Sequence, residues 1–173
     1  MTAPAQIRGG VVHMGDDLNT DVLHPSRFYS LDASTVKAGF RAGSREETEQ
    51  AEAKANGATP SIIVGGRNFG YGSSRETTLQ SLVLNGFQLV IATTVSRIFW
   101  RNAVNAGLWV LQAGEAIQAL RGVDELLVVP ELGSIADAHG NVLAQVEPPD
   151  AYDLALLCRG GMSAWLVDPS QPL

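Results

Sequence analysis

Cysteine is almost missing from this chain of 173 residues: Cys158 stands alone. A single thiol excludes an internal disulfide and any multi-cysteine metal site, so the chain cannot hold an iron–sulfur cluster by itself. Lysine is nearly as scarce, with Lys37 and Lys54 the only two among twelve basic residues. Eighteen acidic residues leave a net charge of −6 and a pI near 4.9. That surface repels phosphate backbones and anionic lipid, which argues against nucleic acid and membrane as partners. No apolar run approaches the ~18–20 residues needed to cross a bilayer. The start, Met1 to Arg8, lacks the charged and apolar regions of a signal peptide. A soluble, cytoplasmic protein is therefore expected. Apolar residues make up 45% of the chain and its mean hydropathy is +0.06, enough for one sizeable core. At ~150 residues per domain, residues 1–173 are expected to form one domain.

Along the chain, residues 15–45 mix Gly, Asp, Asn, Pro and Ser with short apolar pieces and read as a long, shaped loop. Residues 44–56 read as a helix, polar nearly all round, with Ser44 and Glu47 at capping-box spacing and Asn56-Gly57 as its stop. From Ser61 the pattern alternates. Strands are expected at 61–65, 87–92, 108–111 and 125–129, with intervening helices, one carrying Leu79, Leu82 and Val83 on one face and one capped by Ser96. A short helix is expected at 113–121. Asp137-Ala-His-Gly140 predicts a hairpin turn, and Ala151–Leu157 a final amphipathic helix. The class is α/β, with a mixed, partly parallel sheet.

The stretch Gly65-Gly-Arg-Asn-Phe-Gly-Tyr-Gly-Ser-Ser-Arg-Glu76 lies between a buried strand and a helix, where α/β proteins place ligands. Gly70 and Gly72 permit positive φ and the approach of an anion. Ser73 and Ser74 fall at the expected helix start, whose free N–H groups favour a carboxylate or phosphate. Arg75 adds a fork suited to a carboxylate. The plainer alternative is that Ser73 only caps the helix and Arg75 meets Glu76 or solvent. The stretch is not a P-loop, since no lysine follows the last glycine, nor a nucleophile elbow, since Arg75 stands where glycine is needed. A serine-hydrolase reading would need a histidine base. His13, His24 and His139 qualify by composition alone, and each reads better as structural.

Asn68-Phe-Gly-x-Gly-Ser-Ser-Arg-Glu76 resembles the signature of the small, swivelling domain of the aconitase superfamily, a separate small subunit in isopropylmalate isomerases and homoaconitase-like enzymes. Gly15-Asp-Asp-Leu-Asn-Thr-Asp21, followed by Pro25 and Arg27-Phe28, resembles the same family's early segment. Ile98-Phe-x-x-Asn102 with Gly107-Leu108 resembles its later helix. The resemblance implies a three-layer β/β/α swivelling domain. It also implies a partner large subunit carrying a 4Fe–4S cluster, which acts as Lewis acid on a departing hydroxyl. Ser73 matches the family's catalytic base and Asp21 an active-site aspartate. Ser74 and Arg75 match residues that bind substrate carboxylate. Two departures stand out: Thr77-Thr78 replaces the usual His-Ala, and His24 stands where an aliphatic residue commonly precedes the proline.

The loop after Phe28 is where such small subunits set substrate choice. Here Tyr29-Ser30-Leu-Asp-Ala33 carries no cation before Lys37, and Asp32 would repel a third carboxylate. Tyr29 and Ser30 are therefore candidate substrate contacts. The implied reaction is dehydration and rehydration of a small 2-hydroxy di-acid, an alkylmalate such as isopropylmalate in leucine biosynthesis. Two alternatives stay open: a dehydratase for another hydroxy acid, and a non-catalytic carboxylate-binding module. Trp100 and Trp109 are candidates for an exposed partner-binding surface.

Overall fold

The computed structural model describes residues 6–54, 59–73 and 75–167. Its strands are β1 (Ile7–His13), β2 (Pro60–Gly65), β3 (Leu89–Ala92), β4 (Trp109–Gln112), β5 (Glu125–Val129), β6 (Ser134–Asp137) and β7 (Val142–Gln145). Its helices are α1 (Thr20–Leu23), α2 (Ala33–Gly43), α3 (Arg45–Lys54), α4 (Glu76–Leu84), α5 (Arg97–Asn105), α6 (Ala151–Leu157) and α7 (Met162–Val167), with 3₁₀ turns at Ser26–Phe28, Gly114–Leu120 and Pro130–Leu132. The strands form one seven-stranded sheet in the order β4-β3-β2-β1-β5-β6-β7. The first four are parallel to one another; β1 pairs antiparallel with β5, and the antiparallel ladder runs on through β6 and β7. The expected α/β class with a mixed sheet is what folds.

Successive residues of the parallel strands feed opposite faces, which is why these strands read as continuous apolar runs. Val11, Ile62, Leu89, Ile91 and Leu111 join one core with Leu126, Val128, Ile135, Ala144, Ile117 and Leu156. Val12, Ile63, Val90 and Val110 join the other, under Leu23, Phe40, Leu79, Leu82 and Phe99 of α1, α2, α4 and α5. The parallel strands thus lie between a helical layer and a second layer built from β5–β7, the 114–120 turn and α6. Burying each large side chain here contributes about 1.5–3 kcal/mol.

Residues 15–45 are not the expected long loop. Asp32 caps α2 by accepting from the Thr35 N–H at 2.8 Å, and Val36, Gly39 and Phe40 form its buried stripe. Two glycines inside α2 hide it from a propensity reading, yet both have packing reasons. A Cβ at Gly39 would lie 2.3 Å from His24, and one at Gly43 would overlap the Val22 carbonyl. Ser44 closes α2 rather than opening a capping box, its hydroxyl donating to Phe40 O at 2.8 Å. The expected stop at Asn56-Gly57 lies outside the described residues. Three smaller expectations also change. Val83 is 42% exposed, so the buried face of α4 runs through Thr78, Leu79 and Leu82 instead. The 113–121 helix is a 3₁₀ turn. Trp109 is buried and Trp100 half-buried, with Nε1 donating to Asp153 Oδ2 at 2.6 Å, so neither is an exposed patch.

Candidate functional site

Beyond the ends of β1 and β2 the two chains stay zipped together. Gly66 N–H donates to Gly15 O at 3.1 Å, Asp17 N–H to Arg67 O at 2.8 Å, Gly70 N–H to Leu18 O at 2.8 Å and Thr20 N–H to Tyr71 O at 2.8 Å. Asp16 accepts from the Arg67 N–H at 2.8 Å and from its guanidinium at 2.8 and 3.0 Å. These bonds, the main-chain one first, pull the Asp16 carboxyl below the usual range. On the far side the same turn is tied to the segment after β3. Phe69 N–H donates to Thr94 O at 2.9 Å, Ser96 N–H to Phe69 O at 3.0 Å, and the Ser96 hydroxyl to Gly70 O at 2.7 Å. The turn therefore sits at the carboxyl ends of three parallel strands, held from both flanks.

Its glycines serve close packing rather than an open anion cradle. Gly70 has φ +72, and a Cβ there would lie 2.3 Å from the ring of Phe99, which itself packs edge-on against Phe69 at 5.2 Å. Gly72 has φ +108 and presses on Asn19 and Thr20. Nor is Ser73 at the helix start as expected: α4 begins at Glu76 with Arg75 as its cap residue. The Ser73 N–H is taken, donating to Thr20 Oγ1 at 3.0 Å. Ser73 is half-buried, and Ser74 lies outside the described residues.

Two residues expected together are brought together. Arg75 Nη2 forms an ion pair with Asp21 Oδ1, the guanidinium largely covered and the carboxylate 61% exposed. Among the described residues Arg75 therefore pairs with Asp21 and not with Glu76 or bulk solvent, and its buried Nε finds no hydrogen-bond partner there. Asp21 is presented by α1, whose cap Asn19 accepts from the Asp21 N–H at 2.8 Å. Fifty-four positions of chain are closed by a strand, its crossover and one carboxylate–guanidinium contact.

Tyr29 and Ser30 are not drawn into this cluster. Tyr29 is 65% exposed, and the Ser30 hydroxyl accepts from the Asp32 N–H at 3.0 Å. Leu31 is fully exposed. The Asp32 carboxyl is held down to about 2 by the Ser34 hydroxyl and the Thr35 N–H. It is charged at neutral pH, but turned toward the α2 cap. His24 is fully buried, packed on Gly39 and edge-on to Phe28. Among the described residues neither ring nitrogen finds a hydrogen-bond partner, and burial pushes the ring's pKa down. His139 lies in the expected hairpin turn, and His13 meets the Val123 carbonyl at 2.9 Å.

A concavity of about 430 Å³ lies beside the turn, lined by His13, Asp16, Gly65, Gly66, Thr93 and Arg121. Another of about 890 Å³ lies between α5 and α6. Neither is lined by Ser73 or Arg75, which are half-buried beside the exposed Asp21, Tyr71 and Gly72. Among the described residues no cluster of His, Cys, Asp and Glu could hold a metal ion. Cys158 is exposed and lies against Glu131; burial of the sulfur, first, and that carboxylate raise its pKa. The donor set does not fit an iron–sulfur cluster.

Residues 27–116 match the model of the aconitase C-terminal domain. The chain belongs to that family. Relatives include a 3-isopropylmalate dehydratase small subunit from Aquifex aeolicus, 34% identical over 92% of this chain and 94% of that one. A methanogen homoaconitase small subunit from Methanothermobacter thermautotrophicus is 36% identical over 90% and 88%. A 2,3-dimethylmalate dehydratase small subunit from Eubacterium barkeri is 34% identical over 90% and 93%. The crystal structure of a 3-isopropylmalate dehydratase from Methanocaldococcus jannaschii superposes with a TM-score of 0.79 at 27% identity, covering 96% of each chain. No helix among the described residues is long and apolar enough to cross a membrane.

Sequence reasoning within the family pattern picked out Asp21, Ser73 and Arg75, but not the residues that hold them. Asp16 and Thr20 stood in the quoted early segment as motif letters; what their side chains bond to depends on contacts across more than fifty residues.

Proposed function

We propose that this chain is the small subunit of a heteromeric hydro-lyase that dehydrates and rehydrates a 2-hydroxy di-acid, with 3-isopropylmalate as the leading substrate. It works in the cytoplasm as one domain, and only with a large subunit. The observation that carries the reading is the ion pair between Asp21 and Arg75, two residues from separate motifs, on the same turn as Ser73. In this reading Arg75 binds a substrate carboxylate with its unpartnered Nε and adjoining N–H groups, while Asp21 fixes the guanidinium plane. Ser74 adds a hydroxyl to that carboxylate. Ser73 Oγ, as alkoxide, removes the proton from the carbon α to a carboxylate. The charge of Arg75 and the N-terminal end of α4 favour that anion. The departing hydroxyl takes a second proton from an acid of the large subunit and leaves as water; when water adds at the other carbon it returns a proton to that acid, and the same serine gives its own proton to the carbon that lost the hydroxyl.

Ser73 lines neither concavity and its neighbours Asp21, Tyr71 and Gly72 are exposed, which supports the need for a partner, because a ligand site normally covers most of its ligand and excludes water. The 4Fe–4S cluster of such enzymes is assigned to that large subunit, since Cys158 is the only thiol of this chain. Exposed Leu31 and the absence of a cation in 29–36 favour an alkyl side group over a distal carboxylate, with Tyr29 and Ser30 beside it. A second reading keeps the chemistry and changes the acid. Its support is that the homoaconitase and dimethylmalate dehydratase subunits are as similar as the isopropylmalate ones.

The test is anaerobic reconstitution with a cluster-bearing large subunit, offering 3-isopropylmalate, 2,3-dimethylmalate and homocitrate while following the unsaturated product in the ultraviolet. Turnover that needs both chains and favours the alkylmalates is expected. Turnover by the large subunit alone would remove the proposal, and preference for homocitrate would replace its substrate.

A further inference from the structure

We propose that Thr20 is a positioning residue for Ser73, gripping its main chain at both polar groups and so setting where the serine oxygen stands relative to Arg75. The proposal rests on the reading of Ser73 as the base. Thr20 is 1% exposed. Its Oγ1 accepts from the Ser73 N–H at 3.0 Å and donates to the Ser73 carbonyl at 3.4 Å. Its own N–H donates to Tyr71 O at 2.8 Å.

The reason for a side-chain clamp lies in the change of backbone. Asn19 still pairs with Tyr71 as an isolated parallel bridge. At Thr20 the chain turns into α1, so the main-chain ladder cannot continue, and the hydroxyl takes its place for one more residue. Asn19, Thr20 and Asp21 meet Tyr71, Ser73 and Arg75 in turn. The β-branched side chain restricts χ1 and holds the hydroxyl in place. Three consecutive residues thereby fix three alternate positions of the turn, and the middle contact falls on the base.

The experiment uses the reconstituted complex and whichever substrate it turns over. Thr20→Val keeps the volume and removes both bonds; Thr20→Ser keeps the hydroxyl. Displacement of a reacting group by about 1 Å costs on the order of 10²-fold. Thr20→Val is expected to lower kcat by about that factor with KM changed far less, and Thr20→Ser to recover most of it. In a Ser73→Ala background Thr20→Val is expected to cause no further loss, because residues acting as a unit are not additive. The proposal is overturned by a Thr20→Val kcat within about twofold of the parent, by a Thr20→Ser as slow as Thr20→Val, or by an equal further loss on top of Ser73→Ala. Should Thr20→Val melt too low to assay, Thr20→Ala against Thr20→Ser at reduced temperature makes the same comparison. A Ser73→Ala complex with full turnover removes the serine-base reading itself. An inactive Ser73→Ala beside a normal Thr20→Val removes only the clamp.

Discussion

The turn 66–73 and the loop 29–32 are built on opposite principles. The turn is bonded on one side to residues 15–20 and on the other to residues 94–96, and its glycines are pressed against Phe99 and Asn19. Among the described residues the loop's bonds are local: Tyr29 N–H meets Ser26 O, Ser30 meets Asp32, Asp32 caps α2, and the side chains of Tyr29 and Leu31 stand out in solvent. A reacting group must be held within a fraction of an ångström, whereas a contact to a variable side group need only offer the right surface. Chemistry on the braced element and selectivity on the free one is the division expected.

Substitutions should respect that division. Ser73→Ala is expected to have the largest effect, lowering kcat of the complex by about 10²–10⁴-fold while its thermal melt stays put. Gly70→Ala comes next and acts on folding. It forces a side chain onto φ +72 and into the Phe99 ring, about 2–4 kcal/mol from left-handed strain and overpacking together, read as a lowered melting temperature. Leu31→Arg should leave the melt unchanged, since Leu31 touches solvent only. It should move the ratio of kcat/KM for a tricarboxylate against an alkylmalate about tenfold toward the tricarboxylate, one charge-assisted contact being worth 1.5–3 kcal/mol at most. An equal loss for every substrate would break the comparison.

The smallest effect belongs to His24, under the loop's base. Burial holds its pKa below the ordinary value of about 6.5, and the backbone at Val36 opposes this only in part, without a bond of full geometry. The native ring is therefore neutral where the unfolded chain already binds a proton. Stability is complete above about pH 6.5 and falls as pH drops toward the lowered native pKa. His24→Leu should flatten that acid slope in urea titrations between about pH 7 and 5, whereas an unchanged slope would relieve His24 of the role.

The parallel middle of the sheet was readable because β2, β3 and β4 are apolar on both faces and separated by helices with ordinary signals, Ser96 capping α5 as expected. β1 was not, since Gly9 and Gly10 interrupt it; Gly9 is there because a Cβ would strike Ser61. α2 was hidden by Gly39, whose reason is the ring of His24. Such requirements are set by neighbours distant in sequence. The site divides likewise. Family motifs name Asp21, Ser73 and Arg75, and the fold pairs the first with the third. That Thr20 bonds Ser73, or that Tyr29 and Ser30 stand apart, depends on how α1 leaves the ladder, which no local pattern encodes.

The most direct test of Ser73 as the base is the appearance of the unsaturated acid, followed by ultraviolet absorbance, from 3-isopropylmalate in the reconstituted complex with this chain or its Ser73→Ala variant. Turnover is expected with the parent chain, and a loss of about 10²–10⁴-fold with the variant at an unchanged melt. Equal turnover from both would contradict it.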